Sequence, residues 1–586
     1  MANRNTLYSD VLVDELARSG LKHVVIAPGS RNTPLVLAFA QHPKITVHSV
    51  LDERSAAFMA LGLAMADDAP VAMLCTSGSA SANFFPAIVE AKQSRIPLIV
   101  ITADRPPELR FSGANQTIDQ VKMFGDYALW SVDMSLPEAD MPAEAFRNVR
   151  TTANRAFAVA NGTPKGVVHL NVPFRKPLEP MDVPTDRPTP PDDALPRSMN
   201  APFVTITRGT IALNDLQLDM LAGVIDTYER GIIIVGPNTP TNSLASISRL
   251  STQTRYPVFA DGASGMRFGR GDVIGAYDTF LNSGSALPES PDVVIRFGDV
   301  PTSQNLNNYL DKITPTYRIH LSGDGTWADD SHRTTHFLIA DEKLACMQLF
   351  SRFENRPESA WSGAWFALEK VTWDAIDQAM LSMERFDGQM LWEIANQLPE
   401  NARLFIGNSL PIRNFDQFAR PLSKKLQVFA SRGASGIDGN VSTAVGIAAA
   451  DPTRPVIAVL GDITLYHDMN GLMALKRLGI PLTIIVINND GGGIFHRLPI
   501  KDYDPIFTDL FITPHGLTFE HAAKMYGLDY AAPSSRAECL QALQHSIETR
   551  TPTLIEITTD SKEDLKRRKL VMNAVKEALG KLESVT

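Results

Sequence analysis

Two apolar runs near the carboxyl end of the chain constrain the fold most. Residues 455–460 (PVIAVL) lead through a glycine to Asp462, and residues 482–487 (LTIIVI) lead to Asn489. Runs of this length without polar alternation predict buried parallel strands. The segment 468–478 between them predicts one short helix. The pattern therefore indicates a strand–helix–strand unit of a parallel α/β sheet.

The polar residues that follow these runs suggest a ligand site. Open α/β sheets bind ligands at the carboxyl ends of their strands, so Asp462 and Asn489, 27 positions apart (489 − 462), are expected at one edge. Carboxylate and amide oxygens suit Mg²⁺, which keeps positions for water and phosphate. Two interpretations stay open here: a metal–diphosphate site, or ordinary strand ends of a doubly wound domain.

A Gly-Asp-Gly triplet at 323–325, similar to Gly461-Asp462-Ile463, tests this interpretation. It has no Asn pair downstream, because the residue 27 positions after Asp324 is Ser351. The downstream context therefore separates the two triplets, and residues 323–325 predict a turn.

Composition narrows the class of protein. The chain has 586 residues, too many for one core, and is 44% hydrophobic and 20% charged, as in globular proteins. A net charge of −10 argues against general nucleic-acid binding, although local arginines can still hold anions. Cys75, Cys346 and Cys539 lack metal spacing and predict buried thiols in a cytoplasmic protein. No apolar run has transmembrane length, so no membrane insertion is expected.

Strands alternate with helices along the whole chain, which predicts three doubly wound parallel-sheet domains. The expected division is a first domain at 1–180, a Pro-rich linker at 181–200, a central domain at 201–355, a third domain at 375–560 and a C-terminal helix at 561–586.

The first and third domains repeat one order of features. The segment 60–64 (ALGLA) precedes Pro70 and a strand, as 444–448 (AVGIA) precedes Pro455 and a strand. A helix and a second Pro-led strand follow in both, after 27 positions (97 − 70) and 26 positions (481 − 455). The repeated order predicts a duplication.

Several motifs resemble those of the pyruvate-oxidase-like thiamine-diphosphate enzymes. Beside the Asp462–Asn489 pattern, Glu53 in 51–58 (LDERSAAF) follows a predicted strand and opens a helix. Within this superfamily the chain resembles the 2-succinyl-5-enolpyruvyl-6-hydroxy-3-cyclohexene-1-carboxylate synthases of menaquinone biosynthesis over essentially its whole length. The segments that carry the closer resemblance are 27–34 (APGSRNTP), 102–109 (TADRPPEL), 113–116 (GANQ) and 432–439 (RGASGIDG).

The resemblance implies a thiamine-diphosphate-dependent transferase that decarboxylates 2-oxoglutarate and joins the succinyl-semialdehyde unit to isochorismate by 1,4-addition. It implies Mg²⁺, with Mn²⁺ as an alternative, and a homodimer or homotetramer with active sites at the subunit interface. Two alternatives remain: another carboligase of the superfamily, such as an acetolactate synthase using pyruvate, and a non-catalytic thiamine-diphosphate-binding protein.

The resemblance also assigns site residues. Glu53 is the expected catalytic residue, and Asp462, Asn489 and the Gly491 carbonyl are the expected metal ligands. The expected substrate-binding residues are Ser30, Arg31, Arg105, Asn115, Gln116, Ser409, Arg413, Arg432, Ile494, Phe495 and Leu498. The expected cofactor-binding residues are Glu53, Ser409, Leu410, Ser435, Gly436, Ile437, Gly461, Asp462, Ile463, Thr464, Asn489, Ile494 and Phe495.

The arginines fit this chemistry independently of the resemblance. Each proposed substrate carries two carboxylates, and a guanidinium group binds a carboxylate through two parallel hydrogen bonds. Arg31, Arg105, Arg413 and Arg432 each follow a strand-like run, which favours a binding edge over a solvated surface. One departure from the family concerns the central domain, where a cation found in some relatives is missing near Gln304.

Overall fold

The computed structural model describes residues 3–187, 189–196, 198, 200–383 and 386–583. Positions 188, 197 and 199 of the predicted linker, 584–586 of the predicted C-terminal helix, and residues 1–2 lie outside this part of the chain. No helix among the described residues is both long and apolar enough to cross a membrane.

The first sheet has six parallel strands in the order β2-β1-β3-β4-β6-β5. These strands are β1 His23–Ile26, β2 Thr46–Ser49, β3 Val71–Cys75, β4 Leu98–Asp104, β5 Ala128–Asp133 and β6 Val167–Pro173. Its helices are α1 Arg4–Ser19, α2 Thr33–Gln41, α3 Glu53–Asp67, α4 Ser79–Asn83, α5 Phe85–Ser94 and α6 Ala143–Ala160. Strands β3, β4 and β6 are buried throughout, as their uninterrupted apolar runs predict.

The central sheet has five parallel strands in the order β11-β10-β9-β7-β8. These strands are β7 Gly231–Val235, β8 Val258–Ala260, β9 Val293–Phe297, β10 Tyr317–Leu321 and β11 His336–Leu338. The helices of this region are α7 Asp215–Thr227, α8 Leu244–Thr254, α9 Tyr277–Phe280, α10 Gln304–Lys312, α11 Glu342–Leu349 and α12 Ala360–Leu381. The predicted turn at 323–325 is present, and Asp324 accepts a hydrogen bond there from the Thr326 N–H at 2.8 Å.

The third sheet repeats the strand order of the first, β13-β12-β14-β15-β17-β16. Its strands are β12 Arg403–Ile406, β13 Gln427–Phe429, β14 Val456–Gly461, β15 Thr483–Asn488, β16 Asp529–Ala531 and β17 Thr553–Thr558. The remaining helices are α13 Asp387–Gln397, α14 Leu410–Phe418, α15 Asn440–Ala450, α16 Asp462–His467, α17 Leu472–Leu478, α18 Glu520–Tyr526, α19 Arg536–Thr549 and α20 Ser561–Glu583. The identical order of six strands confirms the predicted duplication.

The helix predicted over 468–478 is present, but its first turn is 3₁₀ and a separate helix precedes it. A first helix, α16, already begins at Asp462, and a 3₁₀ turn at Met469–Gly471 precedes α17. The Asp468 carboxylate turns inward, where it accepts hydrogen bonds from the N–H of Ser442 at 2.7 Å and from its hydroxyl at 3.1 Å. A buried carboxylate needs such partners, so the chain turns at Asp468 instead of continuing one helix.

The chain divides into two compact units. The first unit contains the residues up to Arg208 together with Ser431–Thr453 and His467–Ile480. The second unit contains Gly209–Ala430, Arg454–Tyr466 and the residues from Pro481 onwards. The central and third sheets therefore both lie in the second unit, whereas α15 and α17 lie in the first.

Within the first unit, α3 and α15 approach each other at glycines. A Cβ atom added to Gly62 would lie 2.0 Å from the carbonyl oxygen of Thr443, and one added to Gly446 would lie 2.1 Å from that of Met59. Any side chain at either position would push the helices apart. The glycines that mark the repeated motifs of the sequence are therefore the contact between two equivalent helices.

Candidate active site

In the first unit, the loops after β1, β3 and β4 bring two arginines to one edge of the sheet. The Arg31 N–H donates to Thr76 Oγ1 at 3.3 Å, and its guanidinium donates to the Phe174 carbonyl at 2.8 Å. The Arg105 guanidinium donates to the Ser77 hydroxyl. The consecutive residues Thr76 and Ser77 therefore hold both arginines.

The electrostatics of this arginine pair favour an anion. Burial lowers the pKa of Arg31, the positive charge of Arg105 lowers it further, and burial also lowers the pKa of Arg105. Arg31 is buried and its Nε has no hydrogen-bond partner among the described residues. Two partly desolvated guanidinium groups near each other are stabilised by a bound carboxylate.

Gln116 joins the same edge. Its backbone has a positive φ of 56°, and its side-chain amide donates to the Ser77 carbonyl at 3.0 Å. Gly78 is required here, because an added Cβ would lie 2.9 Å from the Gln116 side chain. Asn115 and Ser30 are exposed in the adjoining loops. The predicted residues Ser30, Arg31, Arg105 and Gln116 thus lie on loops at the carboxyl ends of neighbouring strands.

Glu53 is the first residue of α3. The Asp52 side chain caps this helix by accepting from the Ser55 N–H at 3.1 Å. The half-buried Glu53 carboxylate accepts from the Asn83 amide at 3.5 Å. Burial raises the pKa of the Cys75 thiol at the end of β3, and the nearby negative charge of Glu53 raises it further. The helix therefore fixes the backbone of Glu53 and leaves its carboxylate accessible.

Glu90, which sequence reasoning missed, holds the loop that carries Arg432, Ser435, Gly436 and Ile437. Its carboxylate is 4% exposed and accepts from the Ser94 hydroxyl at 2.7 Å. The same carboxylate accepts three backbone N–H groups, those of Gly433 at 2.8 Å, Ala434 at 2.8 Å and Ser435 at 3.2 Å. A single Glu within a helix gives no sequence signal for this role, because its partners are more than 340 positions away.

In the second unit, Asp462 lies where sequence reasoning expected it, at the end of β14 beside β15. Its side chain is 3% exposed, and burial raises the pKa of its carboxyl group. Oδ2 accepts the N–H groups of Asn489 at 3.1 Å and Gly491 at 3.0 Å. Oδ1 accepts the N–H of Ile463 at 2.7 Å. These bonds to fixed backbone groups hold the carboxylate at the edge.

The turn after β15 depends on glycine at position 491. Gly491 has φ = 127°, and a Cβ atom there would lie 2.1 Å from the Ile512 carbonyl oxygen. The Asn489 amide nitrogen donates to Asp387 Oδ2 at 3.1 Å. Asn489 Oδ1 is buried and accepts no hydrogen bond from the described residues. The turn therefore presents the unsatisfied amide oxygen of Asn489, a residue whose backbone N–H donates to the Asp462 carboxylate.

His515 also contacts Asp462 and was not predicted. Its Nε2 lies 3.3 Å from Asp462 Oδ2, and its Nδ1 accepts the Leu517 N–H at 2.9 Å. The bond to Nδ1 leaves the ring proton on Nε2, so the imidazole donates to the carboxylate. The His515 backbone N–H in turn donates to Asp490 Oδ1 at 2.9 Å. The loop at 515 thus closes over the turn at 489–491.

The remaining predicted residues of the second unit lie on two further loops. Ser409, with φ = 71°, precedes α14, and its carbonyl accepts the Arg413 guanidinium at 2.7 Å. Leu410 begins α14 and is buried, whereas Arg413 is exposed one turn later. The other members are Gly461 at the end of β14, Ile463 and Thr464 in the first turn of α16, Ile494 and Phe495 in a 3₁₀ turn, and the exposed Leu498.

The position of the missing central-domain cation is occupied by an uncharged surface residue. Gln304 is exposed in the first turn of α10 and donates to Asn308 Oδ1 at 2.9 Å. It therefore bonds within its own helix.

The residues at 462, 489 and 491 fit a hard divalent cation bound with a diphosphate. No group of three His, Cys, Asp or Glu side chains in the described part of the chain could hold a metal ion. A cation here would therefore need the amide oxygen, a backbone carbonyl and phosphate oxygens beside one carboxylate, as Mg²⁺ often does. The unsatisfied Asn489 Oδ1 is the observation that supports this fit.

Comparisons with known proteins identify the class to which this fold belongs. Three family models match the chain: "Thiamine pyrophosphate enzyme, N-terminal TPP binding domain" at residues 7–123, "Middle domain of thiamine pyrophosphate" at 222–406, and "Thiamine pyrophosphate enzyme, C-terminal TPP binding domain" at 413–557. A solved structure, the thiamine diphosphate-dependent 4-hydroxybenzoylformate decarboxylase of Rhodococcus jostii RHA1, has a TM-score of 0.71, with 94% of this chain and 99% of that chain covered. At 18% identity it shows the fold alone. The fold is that of a thiamine-diphosphate enzyme.

Curated relatives narrow the family. A 2-succinyl-5-enolpyruvyl-6-hydroxy-3-cyclohexene-1-carboxylate synthase of Roseiflexus castenholzii is 54% identical over 98% of this chain and 99% of its own. Synthases of the same name from Haloarcula marismortui, 41% identical over 98% and 99%, and Geobacillus kaustophilus, 40% identical over 99% and 100%, also match. The chain belongs to the family of 2-succinyl-5-enolpyruvyl-6-hydroxy-3-cyclohexene-1-carboxylate synthases, and its cofactor is thiamine diphosphate.

Proposed function

We propose that this enzyme is a transferase that decarboxylates 2-oxoglutarate and joins the remaining four-carbon unit to isochorismate. The bond from C1 to C2 of 2-oxoglutarate breaks and CO₂ leaves. A new bond then forms from C2 to the ring alkene of isochorismate by 1,4-addition, which gives 2-succinyl-5-enolpyruvyl-6-hydroxy-3-cyclohexene-1-carboxylate. The observation that carries the proposal is the partly desolvated pair Arg31 and Arg105, since both substrates are dicarboxylates.

The substrate residues act by binding and orientation. Arg31, Arg105, Arg413 and Arg432 hold carboxylates, and the polar groups of Ser30, Asn115, Gln116 and Ser409 complete the substrate positions. Ile494, Phe495 and Leu498 form an apolar wall. Exclusion of water by such a wall strengthens each arginine–carboxylate contact, because the local dielectric constant falls.

Bound thiamine diphosphate supplies a thiazolium ring that accepts the electron pair released on decarboxylation. Glu53 holds a proton against the aminopyrimidine ring and is the catalytic carboxylate. Ile437 would support the cofactor. Leu410, at the start of α14, and Ser435 and Gly436, in the loop before α15, would contact it. Gly461, Ile463 and Thr464 take the diphosphate. Asp462, Asn489 and the Gly491 carbonyl hold Mg²⁺, for which Mn²⁺ can substitute.

The proposed domain roles follow from these assignments. The domain at 1–180 binds the aminopyrimidine, the linker at 181–200 leads to the central domain at 201–355, and the domain at 375–560 binds the diphosphate, followed by the C-terminal helix. The enzyme acts in the cytoplasm as a homodimer or homotetramer, in which Glu53 of one chain and Asp462 of its partner serve the same cofactor. Two equivalent sites per dimer then follow from two-fold symmetry.

The main rival is a carboligase that uses pyruvate, such as an acetolactate synthase. Pyruvate has one carboxylate and gives less reason for several arginines at one site. A non-catalytic cofactor-binding protein would not need to retain Glu53 together with Asp462 and Asn489.

Product analysis tests the proposal. The purified enzyme with Mg²⁺ and thiamine diphosphate is incubated with 2-oxoglutarate and isochorismate, and the products are identified by mass spectrometry. We expect one CO₂ for each adduct, and no adduct when the cofactor or isochorismate is omitted. Release of CO₂ without adduct, or acetolactate from pyruvate as the main product, would refute the proposed reaction.

A further inference from the structure

A buried carboxylate determines which end of the Asn489 amide faces the metal position. The Asn489 amide nitrogen donates to Asp387 Oδ2 at 3.1 Å, while Asn489 Oδ1 is buried without a donor among the described residues. If the amide were turned over, its oxygen would face Asp387 Oδ2 and this hydrogen bond would be lost. The acceptor at Asp387 therefore favours the orientation that leaves Oδ1 for a cation.

The position of Asp387 is itself fixed. It is the first residue of α13 and is 2% exposed. Its backbone N–H donates to Oδ1 of Asp564 at 3.2 Å. Asp564 lies in the first turn of the C-terminal helix α20 and is 3% exposed. A carboxylate from α20 thus caps the helix that begins with Asp387.

Further charged groups hold this end of α20. Arg568 lies one turn after Asp564, with a nitrogen 3.7 Å from Asp564 Oδ2, and it donates to Asn414 Oδ1 at 2.7 Å. Arg497 donates to the same Asn414 oxygen at 3.0 Å. Hydrogen bonds between buried polar groups restrain the elements that carry them. The contacts therefore extend from α20 through α13 to the turn after β15.

We propose that Asp387 is a positioning residue for the metal site: it holds the Asn489 side chain with its oxygen toward the cation, and the first turns of α20 hold Asp387. The proposal rests on the proposed metal site of Asp462, Asn489 and Gly491. Groups that orient metal ligands in this way raise metal affinity by about 10- to 100-fold in other proteins.

The test measures Mg²⁺ affinity separately from stability. Asp387→Asn keeps the size of the side chain but offers both a donor and an acceptor, so either orientation of the Asn489 amide can pair. Asp387→Ser removes the carboxylate and is a second variant should the first fail to fold. The matched control is Asp377→Asn, since the Asp377 carboxylate accepts from Trp392 Nε1 at 2.7 Å and pairs with Arg420 but contacts no residue of the metal site.

Full-length protein freed of metal with EDTA is titrated with Mg²⁺ at a fixed, saturating concentration of thiamine diphosphate, with calorimetry as the readout. Thermal melts of the metal-free proteins report stability. We expect Asp387→Asn and Asp387→Ser to raise the Mg²⁺ concentration for half-saturation by about 10- to 100-fold, with Asp377→Asn within about twofold of the original protein.

Mg²⁺ half-saturation within twofold of the original in the folded Asp387 variants would overturn the positioning role. An equal loss in Asp377→Asn would also overturn it, because the effect would then be one of general destabilisation. Asp462→Ala separates this outcome from failure of the metal site. If that variant still binds Mg²⁺ with the cofactor as the original does, the proposed site is wrong; if it loses binding while Asp387→Asn keeps it, only the positioning role fails.

Discussion

Both carboxylate oxygens of Glu90 accept two hydrogen bonds each, and the substitution Glu90→Gln replaces one of these oxygens with an NH₂ group. Oε2 accepts the N–H groups of Ala434 and Ser435, and Oε1 accepts the Gly433 N–H and the Ser94 hydroxyl. In Glu90→Gln one oxygen becomes NH₂. The less costly orientation places NH₂ on the Oε1 side, because the Ser94 hydroxyl can rotate and accept, but the Gly433 N–H is then unpaired.

The magnitude follows from these contacts. One unpaired backbone N–H in a buried site costs about 1–3 kcal/mol, and hydrogen bonds to a charged acceptor contribute about 1.5–3 kcal/mol against about 1 kcal/mol for a neutral one. We therefore expect Glu90→Gln to lower the free energy of unfolding by about 2–4 kcal/mol. Because the loop also carries Arg432 and Ile437, kcat/KM is expected to fall as well.

Urea unfolding and steady-state kinetics measure both effects. Ser94→Ala is the control, since it removes only one of the four donors and is expected to cost about 1 kcal/mol. If Glu90→Gln unfolds within about 0.5 kcal/mol of the original protein and keeps its kcat/KM, the carboxylate does not hold the loop and the reasoning fails.

Four further predictions concern the cofactor, the substrates and the assembly. Asp462→Ala is expected to remove the stabilisation that Mg²⁺ and thiamine diphosphate together give in thermal melts while leaving the metal-free melt intact; full stabilisation would refute the metal assignment. Glu53→Gln is expected to bind the cofactor but to slow hydrogen–deuterium exchange at the thiazolium carbon by roughly a hundredfold or more, and exchange at the original rate would exclude Glu53 from this step. Arg105→Ala and Arg413→Ala are each expected to cost about 2–4 kcal/mol in kcat/KM with unchanged cofactor affinity; unchanged kinetics with both substrates would indicate solvated surface arginines. Mixing Glu53→Gln chains with Asp462→Ala chains is expected to restore activity in mixed dimers, and mixed dimers shown by mass spectrometry to be present yet inactive would argue against a shared site.

The sequence correctly predicted where β14 and β15 end, and so which residues follow them. Uninterrupted apolar runs mark β14 and β15 in this α/β chain, and adjacent parallel strands bring Asp462 and Asn489 together, where the Asn489 N–H donates to the carboxylate. The duplication was also visible in the sequence, because both copies keep a glycine at the same place in the repeated motif. These glycines, Gly62 and Gly446, lie where the two related helices approach too closely for any side chain.

The groups that hold these residues in place were not predictable. Glu90, Asp387 and His515 each act on a segment distant in the chain, and none belongs to a periodic pattern or a turn motif. The break at Asp468, between α16 and the helical segment 469–478, was not predictable for the same reason, since the Ser442 N–H donates to Asp468 across a tertiary contact. Local patterns report local structure, whereas the pairing of a buried carboxylate depends on the complete fold.

The most direct test of the proposed reaction compares two keto acids under one condition. Initial rates are measured with saturating isochorismate, Mg²⁺ and thiamine diphosphate while either 2-oxoglutarate or pyruvate is varied. A site built to pair the second carboxylate should favour 2-oxoglutarate in kcat/KM by about a hundredfold or more, as roughly 3 kcal/mol for one buried charge pair implies. Equal kcat/KM values for the two keto acids would contradict the dicarboxylate site and the function proposed from it.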